Sequence, residues 1–198
     1  MKTEVTAKAT RENTSTFRLG FCGSMYCLKA WRALQHALDA IKWQINSRQV
    51  EVWTVGAAIS FKSSTPADCR FFGWRSVDET AELLSQCDLL YLPQPFDGLN
   101  EPLARLSFPT KLSTYAATGR PVFIHTPDWG SLNDFAKSNK MKLVCNSTNP
   151  VDVVSTLRQI DSEPSLLDNE AINTARISNT ILSHSEFSKQ TRAFLTPS

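Results

Sequence analysis

Two hydrophobic periods alternate along this chain. Short runs of β type, RLGFC (18–22), VEVWTV (50–55), CRFF (69–72), DLLYLP (88–93), PVFIH (121–125) and KLVC (142–145), each predict a strand. The run at 88–93 is apolar without a break, as a strand buried on both faces requires. Between the runs the spacing changes to three and four. Leu28, Trp31, Leu34, Leu38, Ile41 and Ile45 form one face of a helix predicted over 28–46. A second helix is predicted over 78–86, with Ser76 and Glu79 spaced as a capping box. A third, over 109–118, has Pro109 at its start and Gly119 just past its end. Further helices are predicted over 131–138, 150–160 and 166–195, the last with a break near 183–185.

Strands alternating with helices imply right-handed crossovers and an α/β fold: a doubly wound, Rossmann-like parallel sheet of six strands in one domain. Residues 1–17 are polar and read as a flexible N-terminal tail, leaving 18–198 as the folded unit. The segment 93–109 reads as a long loop, with Pro93, Pro95 and Pro102 inside it; loops of that length are commonly functional.

Composition narrows the function. The chain has 198 residues, 41% of them hydrophobic and 20% charged, enough apolar material for a core and too much for disorder. The formal charge is +2, which supplies no basic stripe, so nucleic acid is not an expected partner. Five cysteines form no C-x-x-C pair and most lie in apolar runs, which predicts reduced, buried thiols in a cytoplasmic protein. No transmembrane segment and no secretory leader are read in the sequence. His36, His125 and His184 lack partners at metal-ligand spacing, so no metal site is predicted. Ser107 and Ser113 have no histidine partner by sequence logic, which disfavours a hydrolase triad.

In an open α/β sheet ligands bind beyond the carboxyl ends of the strands, where the order reverses. For the order 3-2-1-4-5-6 that crevice lies between the first and fourth strands. The loops facing it are 23–28 and 93–109. Gly23, Ser24 and Lys29 lead into one helix; Phe108, Pro109, Thr110 and Lys111 lead into another. Two helix N-termini and two lysines at one crevice predict an anion site, best matched by a diphosphate. Neither the dinucleotide fingerprint nor the P-loop is present. The absence of acidic residues over 23–29 also disfavours a receiver-like module.

The segment FPTKLSTYAATGRPVF (108–123) resembles the P-S-K-L-x-E-Y-x-A-x-G-x-P-V signature of GT-B glycosyltransferases of group 1. Phe21-Cys22-Gly23 is similar to the opening of that family's C-terminal domain, and Lys29 stands six residues past the glycine, as does the family's phosphate-binding lysine. EVWTVG (51–56), FFGW (71–74), CDLLYLP (87–93) and ILSHSEFSKQTRAFL (181–195) continue the match in order. The resemblance implies the donor-binding half of a GT-B fold, transferring a sugar from a nucleoside diphosphate sugar to a saccharide or lipid-linked acceptor. It implies no cofactor beyond the donor itself. The acceptor-binding half is expected from a partner chain or a missing portion.

Carried over by position, Lys29 is the catalytic cation that neutralises the diphosphate. Gly23 lets the backbone approach, and Thr110, Lys111 and Leu112 open the helix facing the phosphates. Gly73 and Trp74 lie at the base, Asp97 and Glu101 at the sugar. Three positions depart from the family. Ser24 stands where many members have arginine, and Thr114 where many have the glutamate that binds the ribose. Leu106 replaces a second glutamate. These departures imply weaker donor binding or, as the alternative, a non-catalytic binding or regulatory module.

Overall fold

A computed structural model describes residues 4–7, 14–59 and 68–182. Its elements run β1 (Thr16–Gly23), α1 (Leu28–Ala40), β2 (Gln44–Ile45), β3 (Arg48–Gly56), β4 (Asp68–Phe71), α2 (Val77–Leu84) and β5 (Leu89–Pro93). A 3-10 turn (Gly98–Asn100) then leads through α3 (Glu101–Leu106), α4 (Thr110–Ala116), β6 (Val122–His125), α5 (Ser131–Ser138), β7 (Val144–Cys145), α6 (Pro150–Ser162) and α7 (Leu166–Thr180).

The strands form one sheet in the order β4-β3-β1-β5-β6-β7, all parallel, with the short β2 antiparallel to the start of β3. With β2 set aside, this is the doubly wound order expected from the sequence. Alternate residues of the central strands feed two cores. Tyr91 and Phe123 point to the face covered by α1 and α6, among Trp31, Leu34, Leu38, Val153 and Leu157. Leu90, Leu92, Val122 and Ile124 point to the other face, covered by α2, α4 and α5. Helix α7 crosses between them, with Leu166 in the first core and Ile177 in the second.

Several local expectations hold. Ser76 and Glu79 form the capping box of α2, each bonding the other's backbone amide. Others need correction. The first helix stops at Ala40 rather than 46. Lys42 and Trp43 adopt left-handed backbone angles, and Asn46 and Ser47, at φ 50 and 57, turn the chain into a hairpin between β2 and β3. Trp43 is fully buried, and its indole donates to Asp39 at 2.8 Å. Ile41 and Ile45 therefore satisfy a helical period while Ile45 is buried from a strand.

The stretch 93–109 is not a plain loop. The Asp97 carboxylate accepts from the Asn100 amide at 3.0 Å and starts the 3-10 turn that α3 continues. Helix α3 has no apolar periodicity to reveal it. Cys69 is exposed, unlike the other four thiols, and all five are free. Helix α5 is capped at Gly130, without a side-chain bond.

Within the expected tail, residues 16 and 17 already belong to β1. Val5 exchanges two hydrogen bonds with the Asn179 side chain, at 2.9 and 2.8 Å. The predicted helix beyond 182, its break and His184 lie outside the described residues. Among the described residues no helix is long and apolar enough to cross a membrane.

Candidate functional site

Strand β1 pairs with β3 along its whole length but with β5 only at Leu19 opposite Leu89 and Gly20 opposite Leu90. Beyond Gly20 the two strands part, which opens the crevice at the switch point. Tyr115, from α4, fills the floor of the gap. Its hydroxyl accepts from the Cys22 amide at 3.0 Å and donates to the Tyr91 carbonyl at 3.1 Å. Burial holds this phenol's pKa well above its usual value, so it stays a neutral donor.

Lys111 reaches across the crevice from α4. Its ammonium donates to the Ser24 carbonyl at 2.9 Å and lies 4.5 Å from the centre of the Phe21 ring and 5.0 Å from that of Tyr26. Burial lowers its pKa. Its stem passes over Gly23, where an added Cβ would sit 2.8 Å from the Lys111 Cε. Gly23 also has φ +89, in the left-handed region. A Cβ on Gly56 would meet the Gly23 backbone at 3.0 Å, so the carboxyl ends of β1 and β3 touch through their main chains.

Beside these glycines lies a shallow cavity of about 160 Å³, lined by Cys22, Gly23, Gly56, Trp74, Arg75 and Thr114, among others. Three of the residues singled out in the sequence, Gly23, Trp74 and Thr114, thus converge. Trp74 is 70% exposed, leaving its ring free for a planar partner. Gly73, at φ +67, accepts from the Gly56 amide at 2.8 Å and sets the turn that presents Trp74.

The other expected residues divide. Lys29 is exposed on the first turn of α1 and makes no hydrogen bond or ion pair among the described residues. That helix begins at Cys27 with no side-chain cap and no acid in its first turn, which keeps its amino end open to an anion. Cys27 itself is buried, its thiol set 3.4 Å from the Pro93 carbonyl; burial pushes its pKa up to about 12, so it is no nucleophile. Ser24 offers Lys111 its carbonyl, while its side chain is on the surface. Thr110 is exposed at the first position of α4.

Three expected residues have partners within the protein. Leu112 is buried in the core and its amide bonds the Pro109 carbonyl at 2.9 Å, so neither its side chain nor its amide is left for a ligand. Asp97 is the cap described above. Glu101 pairs with Arg105 at 2.5 Å, and that guanidinium lies 4.7 Å from the Trp129 ring centre, so Trp129 stacks on protein. His125 is fully buried between the Tyr91 hydroxyl and the Ser147 carbonyl, each 2.7 Å away, and serves packing rather than binding. Among the described residues no group of acidic, histidine or cysteine side chains could hold a metal. Sequence reasoning missed Tyr115 and Arg75. Tyr115 stands inside the signature segment itself; Arg75 carried no signal.

Comparison with known proteins follows the same line. A search of curated proteins gives no match. Among solved structures the chain is similar to Anabaena HepE in complex with UDP-glucose, with TM-score 0.68 and 15% identity over 91% of this chain and 48% of that one. It is also similar to a UDP-forming α,α-trehalose-phosphate synthase from Burkholderia xenovorans, with TM-score 0.55 and 13% identity over 90% and 43%. The chain thus spans about half the length of these proteins. At such identities the likeness is one of fold: half of a GT-B architecture. The family described as glycosyl transferases group 1 matches residues 16–162, and the chain belongs to that family.

Proposed function

We propose that this chain is the donor-binding half of a glycosyltransferase and that its crevice takes a nucleoside diphosphate sugar. The observation that carries the reading is the convergence of Gly23, Trp74 and Thr114 on one cavity at the strand switch point, beside the open amino end of α1. The base stacks on Trp74 and the ribose lies by Thr114. The diphosphate reaches the first turn of α1, where Lys29 and the free amides meet it. HepE, similar in fold, holds UDP-glucose, which supports uridine as the nucleoside.

The reaction follows from that placement. An acceptor hydroxyl attacks the anomeric carbon, the bond from that carbon to the diphosphate oxygen breaks, and the nucleoside diphosphate leaves. Negative charge builds on the leaving phosphate, where Lys29 and the helix dipole stabilise it. The acceptor's proton passes to the leaving group or solvent. Cations and amides carry the phosphate charge, so the scheme uses no metal or other cofactor. The acceptor, a saccharide or a lipid-linked sugar, is held by a second domain or partner chain.

Thr114 favours a second reading, a non-catalytic donor-binding module, because a hydroxyl cannot accept from both ribose hydroxyls as a carboxylate does. Thermal melts with UDP, GDP, ADP and their sugars test both. Ligand at about 100 times Kd adds roughly 2.7 kcal/mol, a shift of several degrees. The shift is expected with UDP and lost in Lys29→Ala. No shift with any nucleotide, from a chain that melts cooperatively, overturns the donor reading. Binding without transfer, after an acceptor domain is supplied, selects the module.

A further inference from the structure

Helix α1 buries one side and turns the other outward. On the outward side a groove of about 440 Å³ runs between α1 and the residues that follow β3. That volume lies in the range of small-molecule sites. Leu28, Trp31 and Ile59 form its apolar wall, and Arg32, Gln35 and His36 are its polar side. It shares no lining residue with the cavity at Trp74.

Three observations define what fits there. Each polar side chain offers N–H donors, and among the described residues the groove is lined by no carboxylate. Arg32 and His36, one turn apart, are exposed and make no hydrogen bond or ion pair among the described residues. The sole acid of α1, Asp39, is engaged by the Trp43 indole. Gln35 is only 7% exposed, and its amide nitrogen has no acceptor among the described residues. An acceptor in the groove would pair this buried donor. The wall opposite is hydrocarbon, and Leu28 is 55% exposed at its lip. A guanidinium and an imidazole one turn apart suit a single compact anion, and the apolar wall suits an attached chain rather than a polyanion.

We propose that this groove binds an amphipathic phosphate, a lipid-type molecule whose chain lies along Leu28, Trp31 and Ile59. Its phosphate sits against Arg32 and His36, and the Gln35 amide turns to it. The binding itself stands apart from the nucleotide reading.

Dodecyl phosphate, titrated below its critical micelle concentration and followed by calorimetry and tryptophan fluorescence, is the probe. Saturable binding at one site is expected. It should weaken by about tenfold or more in Arg32→Glu/His36→Glu, by loss of charge-assisted bonds. Dodecyl maltoside, with the same chain and a neutral head, and inorganic phosphate, with the head alone, should each bind at least about tenfold more weakly. Both substituted residues are exposed, so the variant should keep the wild-type melting temperature and UDP binding. The proposal is overturned if wild type does not bind, if the neutral detergent binds equally well, or if the double variant binds unchanged. It is also overturned if binding appears only after residues 60–67 are replaced by a Gly/Ser linker, which would make this chain the groove's own occupant. Dodecyl phosphate binding without UDP binding would leave this proposal standing and remove the donor reading alone.

Discussion

The Tyr115 hydroxyl takes the Cys22 amide as its donor at 3.0 Å, at the point where β1 loses its partner β5. The same hydroxyl donates to the Tyr91 carbonyl at 3.1 Å. One phenol thus replaces the ladder bonds that the diverging strands give up. The open crevice is compatible with a dry sheet only because these main-chain groups remain paired.

Tyr115→Phe keeps the ring and removes that bridge. We expect a loss of about 2–3 kcal/mol, because two buried backbone groups lose their partner. Urea denaturation measures it, and faster amide exchange at Cys22 should accompany it. A loss under about 0.5 kcal/mol, the scale of an ordinary surface change, would mean that water fills the gap.

Gly23 is the second point of sensitivity. Gly23→Ala meets both a left-handed φ of +89 and the Lys111 stem at 2.8 Å. Backbone strain alone should cost about 1–2 kcal/mol. Lys111→Ala in the same chain should recover the steric part and not the backbone part. Full recovery in the double variant would show that φ at this position is not constrained.

Histidine 125 gives a pH signature. Burial pulls its pKa down to about 4, against a smaller upward pull from the Ser147 carbonyl. In the unfolded chain the same imidazole titrates near 6.5. Between those two values the unfolded state binds more protons, so stability falls as pH falls through that window. The expected loss approaches about 3 kcal/mol at the acid end. Urea melts across the window should show a shallower slope in His125→Asn than in wild type; identical slopes would place the acid sensitivity elsewhere.

Thr114→Glu restores an acceptor for two hydroxyls at the cavity wall. UDP affinity should rise by about tenfold, the worth of one added charge-assisted bond. Calorimetry with UDP and with 2′,3′-dideoxy-UDP separates this from a general effect, since only the diol gains. An unchanged affinity for UDP would mean that the ribose lies away from Thr114.

The sheet order was legible because each strand carries its own apolar run and each crossover its own helical period. The convergence of Gly23, Trp74 and Thr114 was legible through motif order. The hairpin at Asn46 and Ser47 was not, because Ile41 and Ile45 also fit a helix, and only the burial of Trp43 separates the two. Helix α3 was hidden for a different reason: it continues a 3-10 turn capped by Asp97 and carries a Glu101–Arg105 pair rather than an apolar stripe. The engagement of Glu101 by Arg105, and of the Leu112 amide by Pro109, depends on distances that no spacing rule reports.

The connection from Pro93 to Pro109 carries a kinetic consequence. Asp97 fixes its turn, Arg105 ties Glu101 to Trp129, and the Ser131 hydroxyl lies 3.1 Å from both the Ala104 and Ser107 carbonyls. These side chains surrender their freedom during folding. A ligand arriving at the crevice therefore orders little there, and it escapes the roughly 0.5–1.5 kcal/mol per side chain that a slack loop would cost. Association on this side of the crevice should be a single fast step, without a slow closing phase.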